Sequence, residues 1–441
     1  MSISTKEKIA VFWFRRDLRL HDNAGLYYAL RSGYPVVPLF IFDKNILDDL
    51  ENKQDDRITF IYNAIESIRK ELKAIGADIL VRYGTPLEIW KKLSDEYDLA
   101  EVYTNTDYEV YATERDQEVY KIVKEKKTAF KTCKDQVIFE KKEILSLQKT
   151  PFTVFTPYSR AWKEKCDTFY LSSYPTEKYF GNFLTWEGGT IPTLKEMGFE
   201  TSDYQFPSED VPAELLKDYS KKRDFPAEEA TSRIGIHLRF GTVSIRELAR
   251  KARENSDTFL NELIWRDFYQ QILANFPHVG KGHAFRPAYD HIKWRYDEED
   301  FRKWCDGKTG YPMVDAGMRQ LNAIGFMHNR VRMVTASFLS KHLLIDWRMG
   351  EAYFAKKLLD YDLAANNGGW QWAAGSGTDA APYFRIFNPT AQAERFDPKK
   401  EYIRKWVPEY GTNEYPEPMV DHKMARERCL KAYKEALDKG K

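Results

Sequence analysis

The first 140 residues alternate short apolar runs with amphipathic stretches, and this restricts the fold more than any other feature of the chain. Ile9–Phe14 is apolar throughout and is followed by the charged turn Arg15-Arg16-Asp17. His21-Asp22-Asn23 offers capping groups for a helix from Ala24 to Ser32. A second buried run spans Pro35–Phe42, and Asp56–Ile75 sets Ile58, Ile61, Ile65, Ile68 and Leu72 on one helical face. Ala77–Arg82 reads as a third strand, Thr85-Pro86 opens a helix through Leu93, and Glu101–Thr104 reads as a fourth strand. Glu114–Lys127 is helical, and Ala129–Ile138 reads as a fifth strand. Apolar strands separated by helices predict a doubly wound parallel α/β sheet. There is no G-x-G-x-x-G and no Walker loop, so no nucleotide site follows from motif alone.

From about Glu140 the periodicity fades into a stretch rich in Pro, Ser, Thr, Tyr and Gly, with Pro151, Pro157, Pro175 and Pro192. From Pro207 onward helices dominate. They are expected at Arg233–Phe240, from Ile245, at Asn261–Phe276, Pro312–Ile324, Asn329–Leu344 and Met349–Leu359, and in a tail at Lys423–Asp438. The predicted organisation is an α/β domain over residues 1–139, a connector over 140–206, and an all-helical domain over 207–441.

At 441 residues the chain can bury two or three full cores. Its formal net charge is only +1, so nucleic-acid binding would need a local basic patch. Cys133, Cys166, Cys305 and Cys429 form no C-x-x-C pair, which suits a reducing compartment. No apolar run reaches the length of a membrane span. These features lead us to expect a soluble, cytoplasmic, monomeric protein.

The most unusual stretch is Asp360–Trp372, D-Y-D-L-A-A-N-N-G-G-W-Q-W, which does not read as an ordinary core helix. Gly368-Gly369 lets backbone approach a flat partner, with the π faces of Trp370 and Trp372 beside it. Asp360, Asp362, Asn366 and Asn367 offer fixed hydrogen-bonding groups. The combination suits a large heteroaromatic ligand. Tyr219, Arg223, Thr231, Ser232 and Arg233 suit phosphate oxygens at a helix start, and suit simple helix capping equally well. Glu262, Trp265 and Arg266 lie at i, i+3 and i+4 on one helix face. Together they can read an extruded base by hydrogen bond, stacking and phosphate pairing; the plainer alternative is a Glu262–Arg266 ion pair. Asn329 and Met333 also share a face. Trp294, Trp347 and Trp370 read from the sequence alone as core residues.

Asp360–Trp372 with its continuation Ala373–Pro389, the run Trp13–Arg19, and Pro151–Pro157 with Trp162 resemble the photolyase/cryptochrome family. The resemblance extends to about Lys423 and is strongest to class I cyclobutane pyrimidine dimer photolyases. It implies a light-driven lyase: reduced FAD donates an electron to a flipped-out dimer in UV-damaged DNA, the inter-base bonds break, and the electron returns. It implies that Tyr219, Thr231, Ser232 and Arg233 hold the FAD diphosphate and ribityl chain. Gly235 stands where the family usually has Ser, which would remove one contact. Asp360, Asp362 and Asn366 would face the flavin ring, with Arg332 paired to Asp360 and Asn329 near both flavin and dimer.

By the same resemblance Glu262, Trp265, Asn329, Met333 and Trp372 line the lesion pocket, while Arg223, Arg266, Arg330 and Arg385 contact DNA. Trp294, Trp347 and Trp370 would relay electrons from surface to flavin. The related 6-4 photolyases carry histidines where Asn329 and Met333 stand, which favours the cyclobutane lesion. Asn366 favours a repair enzyme over a blue-light photoreceptor cryptochrome, the main alternative. Phe326 stands where close relatives often have Trp. Folate-binding relatives carry Asn-Glu where this chain has Tyr111-Ala112. The second, antenna chromophore therefore stays open between a deazaflavin, another flavin and none.

Overall fold

The computed structural model describes residues 7–439. Two compact units divide the chain. One comprises Met1–Glu140, Lys165–Asp210 and Arg233–Lys251; the other comprises Lys141–Glu164, Val211–Ser232 and Ala252–Lys441.

The first unit is built on five parallel strands: β1 (Ile9–Phe14), β2 (Val36–Asp43), β3 (Leu80–Gly84), β4 (Leu99–Asn105) and β5 (Ala129–Cys133). Their spatial order is β3-β2-β1-β4-β5. Trp13 lies opposite Leu39 on one side and Thr104 on the other. Alternation along the strands explains why the runs look uniformly apolar. Ala10, Phe12, Phe14, Phe40, Phe42 and Val81 face one buried layer, and Ile9, Val11, Trp13, Leu39, Ile41 and Val102 the other. Both faces are covered, as a doubly wound sheet requires.

The last strand stops at Cys133, five residues before the end expected from its apolar content. Asp135 is drawn out of the ladder into a buried charge cluster. Its carboxylate accepts from Arg19 and Arg246 at 2.8 Å each and from the Ala24 amide at 3.0 Å. Burial alone would raise its pKa, but the two guanidiniums outweigh it and hold the carboxyl near about 2. Asp22 completes the cluster by accepting from Arg246 Nε at 2.9 Å.

In the second unit the core gathers Trp304, Trp347, Phe354 and Trp370 with Leu321, Val331, Phe338 and Leu339. The Pro-rich stretch is not structureless. It forms the helix Phe155–Lys165 and a 3-10 turn at Thr176–Asn182. The helix beginning at Asn329 ends at Ser337, earlier than its apolar pattern suggests, and passes into a single π turn at Phe338–His342. That turn is entirely buried, so packing and not periodicity sets its geometry. Among the described residues no helix is long and apolar enough to cross a membrane.

Candidate functional site

Asp360–Trp372 is largely helical, and it is not an ordinary core helix. Leu363–Ala374 is an α-helix whose N-cap is Asp362, with Oδ1 accepting from the Ala365 amide at 3.2 Å. Two adjacent glycines survive in its middle for different reasons. A Cβ on Gly368 would lie 2.2 Å from Tyr269 Cδ1, so the neighbouring helix Asp257–Asn275 occupies that space. A Cβ on Gly369 would meet nothing within 4 Å. The flat partner of Gly368 is thus a tyrosine of the protein itself.

The open side of this helix is a defined stripe. Asp362, Ala365, Asn366, Gly369 and Trp372 follow at i, i+3, i+4, i+7 and i+10, which places them on one face, with the buried Asp362 closing its N-terminal end. Ala365 and Gly369 are exposed, whereas Ala364, Asn367, Trp370, Gln371 and Ala374 on the other side are buried. Asn366 Nδ2 donates to the Glu351 carbonyl at 3.1 Å, which orients its amide. Gln270 Nε2 donates to both oxygens of Asp362 at 3.1 Å. Asp360 pairs with Arg332 through Nη2 at 2.9 and 3.1 Å, and Arg332 Nε donates to the Met327 carbonyl. A smooth small-residue surface edged by oriented carboxylates and an amide fits a flat heteroaromatic group carrying N–H and C=O edges. The residues present therefore fit a flavin.

On the helix Asp257–Asn275, Glu262, Trp265 and Arg266 are half-buried and share the expected face, continued by Tyr269. Glu262 accepts a short hydrogen bond from Arg223 Nη1, so its ion pair is made with the residue just past the end of the helix Ala213–Lys222. Trp265 is stacked on Phe155, with ring centroids 3.7 Å apart and planes within 4°. Trp372 is stacked on Phe387 at 6.4 Å.

Asn329, Arg330, Arg332 and Met333 lie on the helix Asn329–Ser337. Arg330 pairs with Asp224 at 2.8 Å and sits 4.2 Å above the Phe396 ring. Arg385 is exposed in the segment after Pro382, and its carbonyl accepts from the buried Lys341 ammonium at 2.8 Å. Tyr219 is buried in the helix Ala213–Lys222, edge-on to Phe259 at 5.1 Å, and burial pushes its phenol up to about 12. Thr231, Ser232 and Arg233 precede the short helix Gly235–Phe240. The N-cap position of that helix is Ile234, which supplies no side-chain cap.

Trp347 and Trp370 are buried and Trp294 is half-buried, all packed into one core cluster. Trp370 meets Phe354 at 5.0 Å and Trp304 at 6.0 Å, and the backbone at Gly350 lies directly on its ring.

His328 caps the helix Asn329–Ser337: its Nδ1 accepts from the Arg330 amide at 3.2 Å. Burial lowers its pKa to about 4, with Arg330 and Arg332 adding to the effect and Asp224 opposing it. A histidine held neutral in the fold and ordinary when unfolded stabilises fully above its unfolded pKa near 6.5, and that contribution is lost as pH falls toward 4. His328→Asn keeps a good cap acceptor and cannot protonate. It is expected to flatten the pH dependence of stability in that window by about 1.4 kcal/mol per pH unit. Urea unfolding at pH 4.5, 5.5 and 7 measures this directly; an unchanged slope would show that His328 does not titrate with unfolding.

Phe155, Asp224 and Tyr269 were not singled out by the sequence. Tyr269 was accessible in principle, because it continues the Glu262–Trp265 stripe at i+7 and i+4. Phe155 lies 110 residues from Trp265 and carried no such signal.

With this geometry in place, comparison with known proteins decides the family. Residues 259–412 match the sequence model described as the FAD binding domain of DNA photolyase, and residues 10–178 match that of DNA photolyase. The deoxyribodipyrimidine photo-lyase of Halobacterium salinarum is 36% identical over 97% of this chain and 99% of its own length.

The chain belongs to the DNA photolyase family.

Solved structures agree. A bacterial class III photolyase from Agrobacterium tumefaciens superposes on this photolyase-family chain with a TM-score of 0.85 at 32% identity, covering 99% of each chain. An archaeal photolyase from Sulfolobus tokodaii, solved with two FAD molecules, gives 0.81 at 32% identity over 97% of this chain and 99% of that one. The parallel sheet followed by a helical domain, expected from the strand pattern, is the architecture found.

Proposed function

We propose that this protein repairs cyclobutane pyrimidine dimers in UV-damaged DNA, driven by light absorbed by bound FAD. The observation that carries the reading is the stripe Ala365-Asn366-Gly369-Trp372 with the buried Asp362 at its head, whose helix packs at Gly368 directly on the helix bearing Glu262 and Trp265. A flavin-shaped face and a base-reading face thus belong to two helices in contact. When bound, reduced FAD supplies the photoexcited electron that opens the cyclobutane ring.

The chain's own residues bind, orient and exclude water. Asp360, held by Arg332, with Asp362 and Asn366 would fix the ring edge. Tyr219, Thr231, Ser232, Arg233 and the Gly235 backbone would hold the ribityl and diphosphate portion. Glu262 would accept a hydrogen bond from the extruded pyrimidines, Trp265 and Trp372 would wall them, and Asn329 and Met333 would line the same pocket. Arg223, Arg266, Arg330 and Arg385 would grip phosphates. Trp294, Trp347 and Trp370 would relay an electron inward from the surface toward the cofactor site. Extrusion costs a few kcal/mol and least at a lesion already poorly stacked, which favours damaged DNA. The working form would be a cytoplasmic monomer on DNA. A second chromophore, as in the Sulfolobus tokodaii relative, would extend the wavelengths used.

The test is lesion turnover. The reduced protein is mixed with an oligonucleotide carrying one thymine dimer and illuminated near about 400 nm, where reduced flavin absorbs. Restored thymines are counted against a dark control, and extracted chromophores are identified by mass. Light-dependent restoration is expected. A flavin-loaded, reduced protein that restores none would move the reading to a 6-4 lesion enzyme or a photoreceptor, according to whether the 6-4 substrate responds.

A further inference from the structure

Trp265 stands on the open side of its helix. The opposite side, Phe259, Leu260, Leu263 and Ile264, is buried, and Phe268, one turn on from Trp265, is buried as well. The core meets the indole edge-on, at Phe268. Within its own helix Trp265 meets Phe268 edge-on at 5.6 Å and Tyr269 tilted by 30° at 5.4 Å. A flat wall comes from elsewhere: Phe155 lies 3.7 Å away, almost exactly parallel in plane at 4°.

That geometry is unusual for two free aromatic rings. Their quadrupoles favour offset or edge-to-face arrangements over eclipsed stacking. Something besides ring attraction must hold Phe155 there, and the structure shows what does. The Phe155 amide donates to Asp379 Oδ2 at 3.1 Å, and Thr378 Oγ1 donates to the Thr153 carbonyl. Gln271 Nε2 donates to the Phe152 carbonyl at 2.8 Å, and Trp162 Nε1 donates to Asp267 Oδ2 at 3.0 Å. The segment is thus tied on both sides of Phe155 to the helix that carries Trp265, and at Phe155 itself to Asp379. Phe155 is further wedged edge-on against Phe268 at 5.9 Å.

We infer that Phe155 is a positioning residue for Trp265: its tethered ring covers one indole face and presents the other, beside Glu262, for stacking against the lesion. The inference rests on the repair function proposed above for Trp265. It predicts that Phe155 influences damaged DNA through Trp265 alone.

The test uses the flavin-loaded full-length protein with 5-fluorotryptophan incorporated. The Trp265 resonance is assigned by its loss in Trp265→Phe. Phe155→Ala is expected to shift and broaden that resonance. It should weaken binding of the dimer-containing oligonucleotide by about tenfold, the scale of one base–aromatic stack, while binding to undamaged DNA changes less than about twofold. Phe155→Tyr, which keeps the flat ring, should restore both. In a Trp265→Ala background, adding Phe155→Ala should change dimer affinity less than about twofold, because the coupled partner is gone. An unmoved resonance, or the same tenfold loss without Trp265, would overturn the inference. If alanine unfolds the segment, Phe155→Leu keeps bulk without the flat face and must give the same spectral shift. Failure of the repair reading would appear separately, as wild-type protein with no preference for dimer DNA; the fluorine resonance then decides the positioning claim by itself.

Discussion

Alanine at Glu262 and Trp265 together is expected to abolish light-driven dimer repair while leaving the flavin in place. Both side chains lie on the half-buried stripe of the helix Asp257–Asn275 and not among its fully buried residues, so their removal leaves most of the core packing in place. Base–aromatic stacking contributes about 1–3 kcal/mol. A hydrogen bond to a charged group contributes about 1.5–3 kcal/mol. If the two act independently, dimer affinity falls by roughly two to four orders of magnitude.

The Glu262 half has a second consequence. Its carboxylate is paired with Arg223, so removing it frees a guanidinium near the proposed phosphate track. Glu262→Ala alone should therefore bind undamaged DNA slightly more tightly and with a steeper salt dependence, by a slope change of up to about 0.9 for one added phosphate contact. Titrations at several salt concentrations, beside turnover of the dimer oligonucleotide, separate the two effects. Undiminished repair in the double variant would remove both residues from the lesion pocket.

The fold was legible where a local rule acts alone. The strands Ile9–Phe14 and Val36–Asp43 were clear because both sheet faces are buried and every residue up to the closing Asp43 is apolar. The Arg332–Asp360 pair was implied by family resemblance and is present at 2.9 Å. Reading failed where a distant partner decides the local state. The pair Gly368-Gly369 pointed to a flat partner on both glycines, yet a tyrosine ring of the protein itself fills the space beside Gly368 and leaves Gly369 alone facing open space. The fifth strand was overextended because nothing in Ala129–Ile138 announces that Asp135 answers two arginines from other segments. Phe155 looked like one more residue of a Pro-rich connector, since its stack on Trp265 depends on tethers to Asp379 and Thr378.

The adjacent glycines allow the cofactor face to be tested apart from any photochemistry. Alanine normally stabilises a helix interior relative to glycine by about 0.5–1 kcal/mol. At Gly369 nothing opposes that gain, because the added methyl points into open space. Gly369→Ala should therefore raise the melting temperature of flavin-stripped protein, yet lower flavin occupancy at equal concentration, since the methyl projects from the stripe assigned to the ring. At Gly368 the same methyl meets the Cδ1–Cε1 edge of the Tyr269 ring at 2.2–2.3 Å, and that ring is braced against Trp265. Overpacking of this kind costs about 1–3 kcal/mol and exceeds the helix gain. Gly368→Ala should melt lower with or without flavin. Opposite signs in the stripped protein, with flavin loss in Gly369→Ala, would place the cofactor on the Ala365–Gly369 face. Full flavin occupancy in Gly369→Ala would mean that the ring lies elsewhere, and the assignments of Asp362 and Asn366 would fall with it.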